Sequence, residues 1–171
     1  MEVFKLSLEH NIKPFDCDDV DLNNFLFEDA KPSLGSLLSV TYLIENETHT
    51  VAYFSLLNDK ISIDNFPSKR KFYRFFRDTY PAGKRYDSYP SLKIGRLAVN
   101  KEFSGTGIGT KLLDYIKIET IIHGFSGCQY LTVDAYAKSL TFYEKNGFEY
   151  LTDVDKGEET RLMYFDLRPL I

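Results

Sequence analysis

The sequence predicts a mixed α/β domain, of the α+β kind, built around a mostly antiparallel sheet with one parallel element. Three stretches carry that expectation. "LLSVTYLIENETHTVAYFSLL" reads as two β-rich runs joined by the polar tip Glu45 to Thr48, which is a hairpin. "SLKIGRLAV" passes through a glycine-alternating loop into the helical "GIGTKLLDYIKIETIIHG" and on to the β-rich "CQYLTVDA", an order that suits a parallel pair. Near the end, "FEYLT" and "RLMYFDL" flank the turn "DVDKGEE". No repeat, low-complexity run or linker divides the 171 residues, so one domain over 1–171 is expected.

Taken in order, "VFKLSLE" alternates like an edge strand. "DDVDLNNFLFEDAK" opens with Asp at an N-cap and spaces Val20, Phe25, Leu26 and Ala30 as a helix would, with Pro32 expected to stop it. After the hairpin comes "SKRKFYRFFRDTYPAGKRY", where Phe72, Tyr73, Phe75 and Phe76 predict a short amphipathic helix followed by a Pro/Gly loop. The helix after the glycine loop carries a stripe through Ile108, Leu112, Tyr115 or Ile116, Glu119 and Ile122, closed by Gly124. "KSLTFYEKNG" is a short helix ending at Gly147.

Composition excludes several classes. A formal net charge of −4 and a pI near 5.4 give no general nucleic-acid footprint, although Lys69, Arg70, Lys71, Arg74, Arg77, Lys84 and Arg85 make Ser68 to Tyr86 locally basic. That stretch either borders an acceptor site or is a solvated helix face. The start "MEVFKLSLEH" has no basic region followed by an apolar run, and no segment approaches the ~20 apolar residues of a span; a cytoplasmic protein with no membrane partner is expected. Cys17 and Cys128 are too few for a disulfide framework, and His10, His49 and His123 lack ligand spacing, so no metal is expected.

The chemistry concentrates in "IGRLAVNKEFSGTGIGTKLLDYI". Gly105, Gly107 and Gly109 alternate with Thr106, Ile108 and Thr110 where strand gives way to helix, so the backbone can approach a ligand and the first-turn amides suit phosphate. The other reading is a tight loop that needs positive φ. A Walker A loop is excluded because Thr110 precedes Lys111, and a dinucleotide fingerprint because the spacing is GxGxG deep in the chain. No Cys or Ser sits with a His at a recognisable spacing, so a covalent acyl-enzyme has no support.

"LAV", then "SGTGIG" on a strand-to-helix turn, then "FYEKNGF" together resemble the GNAT acyltransferases, over Met1 to about Leu167 and most closely from Ile94 to Phe148. The resemblance implies a sheet split at a central bulge and an acetyl-CoA cosubstrate. It implies that the turn Ser104, Gly105, Thr106, Gly107, Ile108, Gly109, Thr110 holds the pyrophosphate, with Ser104 where the family has Gln or Arg. Leu97, Ala98 and Val99 would face the pantetheine arm, an amide there polarising the acetyl carbonyl, with Ser139 and Phe142 completing the cofactor set. Tyr143 becomes the general acid that protonates the leaving thiolate, the alternative being packing. For the general base the resemblance offers Asp134, whose other role is capping the loop before the last helix; water-relayed deprotonation is equally consistent. An amine then attacks directly. Arg96 lies just before the bulge, facing either the acceptor groove or a surface carboxylate.

"FDCDDVDLNNFLFEDA", "VTYLI", "VAYFSLLNDKI" and "YPSLKIGRLAV" resemble the branch that includes toxin acetyltransferases of bacterial toxin–antitoxin pairs, which modify aminoacyl-tRNA. The acceptor is therefore open among a small amine, a protein amino group and aminoacyl-tRNA, and a catalytically idle binding module is the alternative from another class. A homodimer and an antitoxin are the partners this branch adds.

Overall fold

The computed structural model describes residues 2–77, 85–124 and 126–171. Its elements are β1 (Phe4–Lys5), α1 (Val20–Asn24), a π-helical segment (Phe25–Asp29), α2 (Ala30–Gly35), β2 (Val40–Glu45), β3 (Thr50–Ser62), α3 (Lys69–Phe75), β4 (Ser88–Val99), α4 (Ile108–His123), β5 (Tyr130–Tyr136), α5 (Leu140–Lys145), β6 (Glu149–Tyr150) and β7 (Thr160–Asp166). The strands form a seven-stranded sheet in the order β1-β2-β3-β4-β5-β7-β6. Pairing is antiparallel in β1–β2, β2–β3, β5–β7 and β6–β7, and parallel in β4–β5, as the sequence predicts. The parallel register covers Ser91 to Lys93 against Tyr130 to Thr132, so β4 from Ile94 onward lies outside it. The chain packs as two compact units, Met1–Leu57 with Ile94–Ile122, and Asn58–Lys93 with His123–Ile171.

In the first unit Leu6, Phe15, Leu26, Leu43, Tyr53 and Ala98 form a buried core. Asp19 caps α1 by accepting the Leu22 amide, and the buried Tyr53 hydroxyl donates to Leu22 O at 2.7 Å, fixing the helix on the sheet. Pro32 does not stop the helix: it lies inside α2, directly after the π-helical segment. Proline has no amide to donate and its ring clashes with the carbonyl four residues back; the wider π turn, in which Ala30 N reaches Phe25 O, redirects those carbonyls. The helix ends in a Schellman arrangement, Leu38 N to Ser33 O and Leu37 N to Leu34 O, with Leu37 at φ 57 where glycine is usual. The hairpin tip is fixed by Asn46 Oδ1, which accepts from the amides of Thr48 and His49.

The strand expected over "VFKLSLE" shrinks to two paired residues because a turn, His10 N to Ser7 O, interrupts it. On α4 the buried residues are Leu112, Leu113, Ile116 and Lys117. Ile122, expected on that stripe, is 64% exposed: at ~100° per residue it falls on the far side from Leu113 and Ile116.

The second unit packs Ile61, Phe72, Phe76, Tyr89, Tyr130 and Leu151 into a largely aromatic core. α3 is the expected amphipathic helix, its N-cap Ser68 accepting from Lys71 N and its Phe72 wholly buried. The Pro/Gly loop expected after it, and Lys84, fall in 78–84, outside the described residues. β5 and β7 pair along their whole length, Tyr130↔Asp166 to Tyr136↔Thr160. Of "FEYLT" only Glu149 and Tyr150 form a strand. Gly147 has φ +83, and a Cβ there would stand 3.0 Å from the Phe165 ring, so both conformation and space demand glycine.

Candidate active site

β4 carries Ala98 into the first unit's core, while Leu97 and Val99, on the opposite pleat, stay half-buried. The buried Asn100 then turns the chain. Its amide group donates to Thr50 O at 3.1 Å, its carbonyl accepts from Glu102 N at 3.1 Å, and its backbone N–H donates to Val51 O. A 3-10 turn over Lys101–Phe103 follows, and Thr106 Oγ1 donates to Phe103 O at 2.6 Å. Gly105 at φ +74 and Gly107 at φ +80 complete the loop, and Gly107 O accepts from Lys111 N as α4 begins.

A Cβ on Gly105 or Gly107 would meet no atom within 4 Å. Glycine is thus required by the backbone conformation alone, and the space in front of the loop is open. Ile108, Gly109 and Thr110 form the first turn of the 16-residue α4, where amides lack intrahelical acceptors and the dipole is positive. An open face, two left-handed glycines and helix-start donors fit a pyrophosphate.

The N-terminal segment holds this loop in place, a role the sequence reading missed. Lys101 N donates to Asp16 O at 2.8 Å, and Lys101 Nζ lies 2.6 Å from Asp16 Oδ2 and 3.1 Å from Asp18 Oδ1. Asp16 Oδ1 accepts in turn from Asp18 N and Asn23 Nδ2, both at 2.9 Å. The Lys101 bond, with those two, holds the Asp16 carboxyl down at about 2, and the same pairing pushes Lys101 up to about 12. Cys17, beside them, donates its thiol to Asn23 Oδ1, and burial raises its pKa. The signal was present: Asp16, Asp18 and Asn23 of "FDCDDVDLNN" make these bonds.

In the second unit α5 presents Tyr143 inward, 6% exposed, with Phe142 and Phe148 edge-to-face at 5.2 and 5.3 Å. Burial pushes the phenol pKa well above its usual value. Ser139 stands immediately before α5, and Asn146 Nδ2 ties off Phe142 O at 2.7 Å. Asp134 does not cap the loop before α5: its Oδ2 accepts from Lys93 Nζ at 2.8 Å. Lys93 also lies 3.5 Å from Asp59 Oδ2, which accepts from Thr132 Oγ1. Burial opposes the Lys93 charge, but the two carboxylates prevail and raise its pKa. Among the described residues Arg96 pairs with no carboxylate; its guanidinium lies over the Phe25 ring at 5.1 Å and donates to Gly95 O.

A family model described as the acetyltransferase (GNAT) domain matches residues 41–150. The chain belongs to the GNAT acetyltransferases. It is an acetyl-CoA-dependent N-acetyltransferase. The GNAT fold extends beyond the matched segment. A crystal structure of a tyrosine-to-phenylalanine mutant of KacT is similar at TM-score 0.77 and 23% identity, over 99% of this chain and 98% of that one. AtaT complexed with acetyl-methionyl-tRNAfMet matches at TM-score 0.73 and 23% identity, over 99% and 96%. AtaT bound with AtaR as AtaTR and acetyl-CoA matches at 0.74 and 23%, over 99% and 95%. Among the described residues, no helix of this GNAT protein is long and apolar enough to cross a membrane.

Proposed function

We propose that this acetyltransferase modifies the α-amino group of aminoacyl-tRNA, acting as one domain in the cytoplasm and controlled by an antitoxin. The carrying observation is end-to-end similarity to KacT and AtaT, including the N-terminal 1–40 that lie outside the GNAT-domain match. In this chain that segment supplies Asp16, Asp18 and Asn23, which steady the cofactor loop. The cations Lys69 and Arg70 on α3 supply phosphate contacts, since tRNA affinity comes largely from charge neutralisation.

Bound acetyl-CoA supplies the acetyl group as a thioester whose sulfur leaves as a thiolate. The amides of residues 104–110 hold its pyrophosphate, and the main chain of Leu97 to Val99, outside the register that pairs β4 with β5, receives the pantetheine arm and polarises the carbonyl. The family resemblance adds Ser139 and Phe142 to the residues proposed for the cosubstrate. Burial disfavours the phenolate, so Tyr143 is present as the neutral phenol that a general acid must be; the same burial makes it a weaker acid, and its proton passes to the sulfur only as the breaking C–S bond leaves charge there. The amine's proton leaves through water, or through Asp134 once its bond to Lys93 opens.

Purified protein with radiolabelled acetyl-CoA, charged tRNA, peptides and small amines separates the acceptors. Label that stays on the amino acid after the ester to tRNA is hydrolysed supports the proposal; label only on peptides or amines overturns it.

A further inference from the structure

A groove of about 680 Å³ in the second unit lies between α3 and the residues that follow β6. Its floor is apolar, formed by Phe66, Phe75 and the buried Leu151. Lys71 and Arg74, three residues apart on α3, project along one side, and among the described residues neither side chain has an ion-pair partner. The exposed Val154 adds to the apolar lining, and the lining carboxylate, Asp153, is 90% exposed and lies 3.7 Å from Arg161, which offsets its charge. The volume lies within the ~300–1,000 Å³ usual for ligand pockets. None of these residues belongs to the cofactor loop, to α5 or to the Lys93 cluster.

We propose that this groove binds a short acidic, apolar peptide segment of a partner protein. Side chains three apart on a helix stand ~5–6 Å apart, and alternate residues of an extended peptide repeat at ~6.8 Å. Two acidic side chains at alternate positions therefore reach Lys71 and Arg74, while apolar neighbours meet Phe75 and Leu151. Phosphate contacts alone would leave that floor unburied. Base stacking is also disfavoured: Phe66 meets Phe72 edge-on at 5.4 Å, and Phe75 meets Tyr164 and Phe76 edge-on at 5.2 and 4.8 Å, so the ring faces are partly taken up by neighbours. The proposal stands independently of which amine the enzyme acetylates.

The test is selection of a random phage-displayed peptide library on the full-length wild-type protein, followed by fluorescence anisotropy with the recovered peptides made synthetically. Recovered peptides should combine acidic residues at alternate positions with aliphatic or aromatic ones. Lys71→Glu combined with Arg74→Glu should weaken them at least ~10-fold, with acetyl-CoA affinity and melting temperature held, and Val154→Asp should weaken them independently. Failure to recover peptides, recovery of peptides without acidic residues, or affinities indifferent to the charge reversal overturns the proposal. A single-stranded RNA oligonucleotide that binds the wild type and is lost on charge reversal, with no peptide recovered, overturns it in favour of a nucleic-acid surface.

Discussion

The site proposed in the first unit is made of main chain, and that in the second of side chains. At residues 104–110 the donors are backbone amides, and the sequence contributes by omitting Cβ atoms at Gly105 and Gly107. At Tyr143 and Asp134 the proposed chemistry belongs to a phenol held neutral by burial and a carboxylate held by an ammonium. A main-chain site is broken by adding atoms, and a side-chain site by removing a single one.

The largest expected effect follows from the first half of that comparison. Gly107→Val places a β-branched residue at φ +80, a conformation such residues avoid, so the loop must move. Acetyl-CoA affinity measured by calorimetry should fall at least ~100-fold. The fold should survive, since the new Cβ meets no protein atom within 4 Å. Wild-type affinity in this variant would remove the loop from the cofactor site.

Tyr143→Phe tests the other half. It keeps the ring contacts to Phe142 and Phe148 and deletes only the hydroxyl. General acids contribute ~10²–10⁴-fold, and a thiolate, being a good leaving group, needs the lower end, so kcat should drop ~10–100-fold with acetyl-CoA affinity held. Full activity would make Tyr143 a packing residue.

Lys101→Met sharpens the boundary between the two modes, because here a side chain serves a main-chain site. Freed from Asp16 and Asp18, the loop should bind acetyl-CoA ~3–10-fold more weakly with kcat unchanged. The pH dependence has a definite sign. The Asp16 carboxyl is depressed from 3.8 to about 2, so its contribution is complete above about 4 and is lost as pH falls towards 2. Affinity should therefore owe nothing to Asp16 titration between about pH 5 and 8, whereas Asp16→Asn should show the weakened binding already at pH 7. Equal affinity in wild type and Asp16→Asn would make the N-terminal bonds incidental.

The smallest effect is at Lys93. Lys93→Met removes the ammonium that holds Asp134 Oδ2 at 2.8 Å, so the carboxylate is no longer positioned and kcat should fall ~2–5-fold with acetyl-CoA affinity held. Lys93→Arg should restore most of the rate. An unchanged kcat in Lys93→Met would leave Asp134 outside the reaction.

What the sequence made legible follows the same division. Glycine spacing announced the loop because positive φ is a demand on residue type, and Gly147 announced the end of the helix in "FYEKNGF", where the structure has φ +83; a role for Tyr143 came from the family resemblance alone. The strand order followed from the hairpin and the strand-loop-helix-strand pattern. Pairings across the chain were not legible: nothing in local spacing says that Asp134 would find Lys93, or that Asp16 would find Lys101. Ile122 and Pro32 were misplaced because a stripe drawn by eye drifts off the helix face, and because a π turn leaves no periodic mark.

The Lys101 bonds to Asp16 and Asp18 join residues 85 and 83 apart in sequence. Contacts of such separation close a long loop, and their entropic cost is met only after nearby structure has formed. On the ribosome the amino-terminal segment emerges long before its partner and must wait for residue 101 to clear the exit tunnel. The loop that follows Lys101 is therefore among the last parts of the first unit to set, and on the function proposed above a nascent chain cannot hold acetyl-CoA firmly until Lys101 has met Asp16 and Asp18.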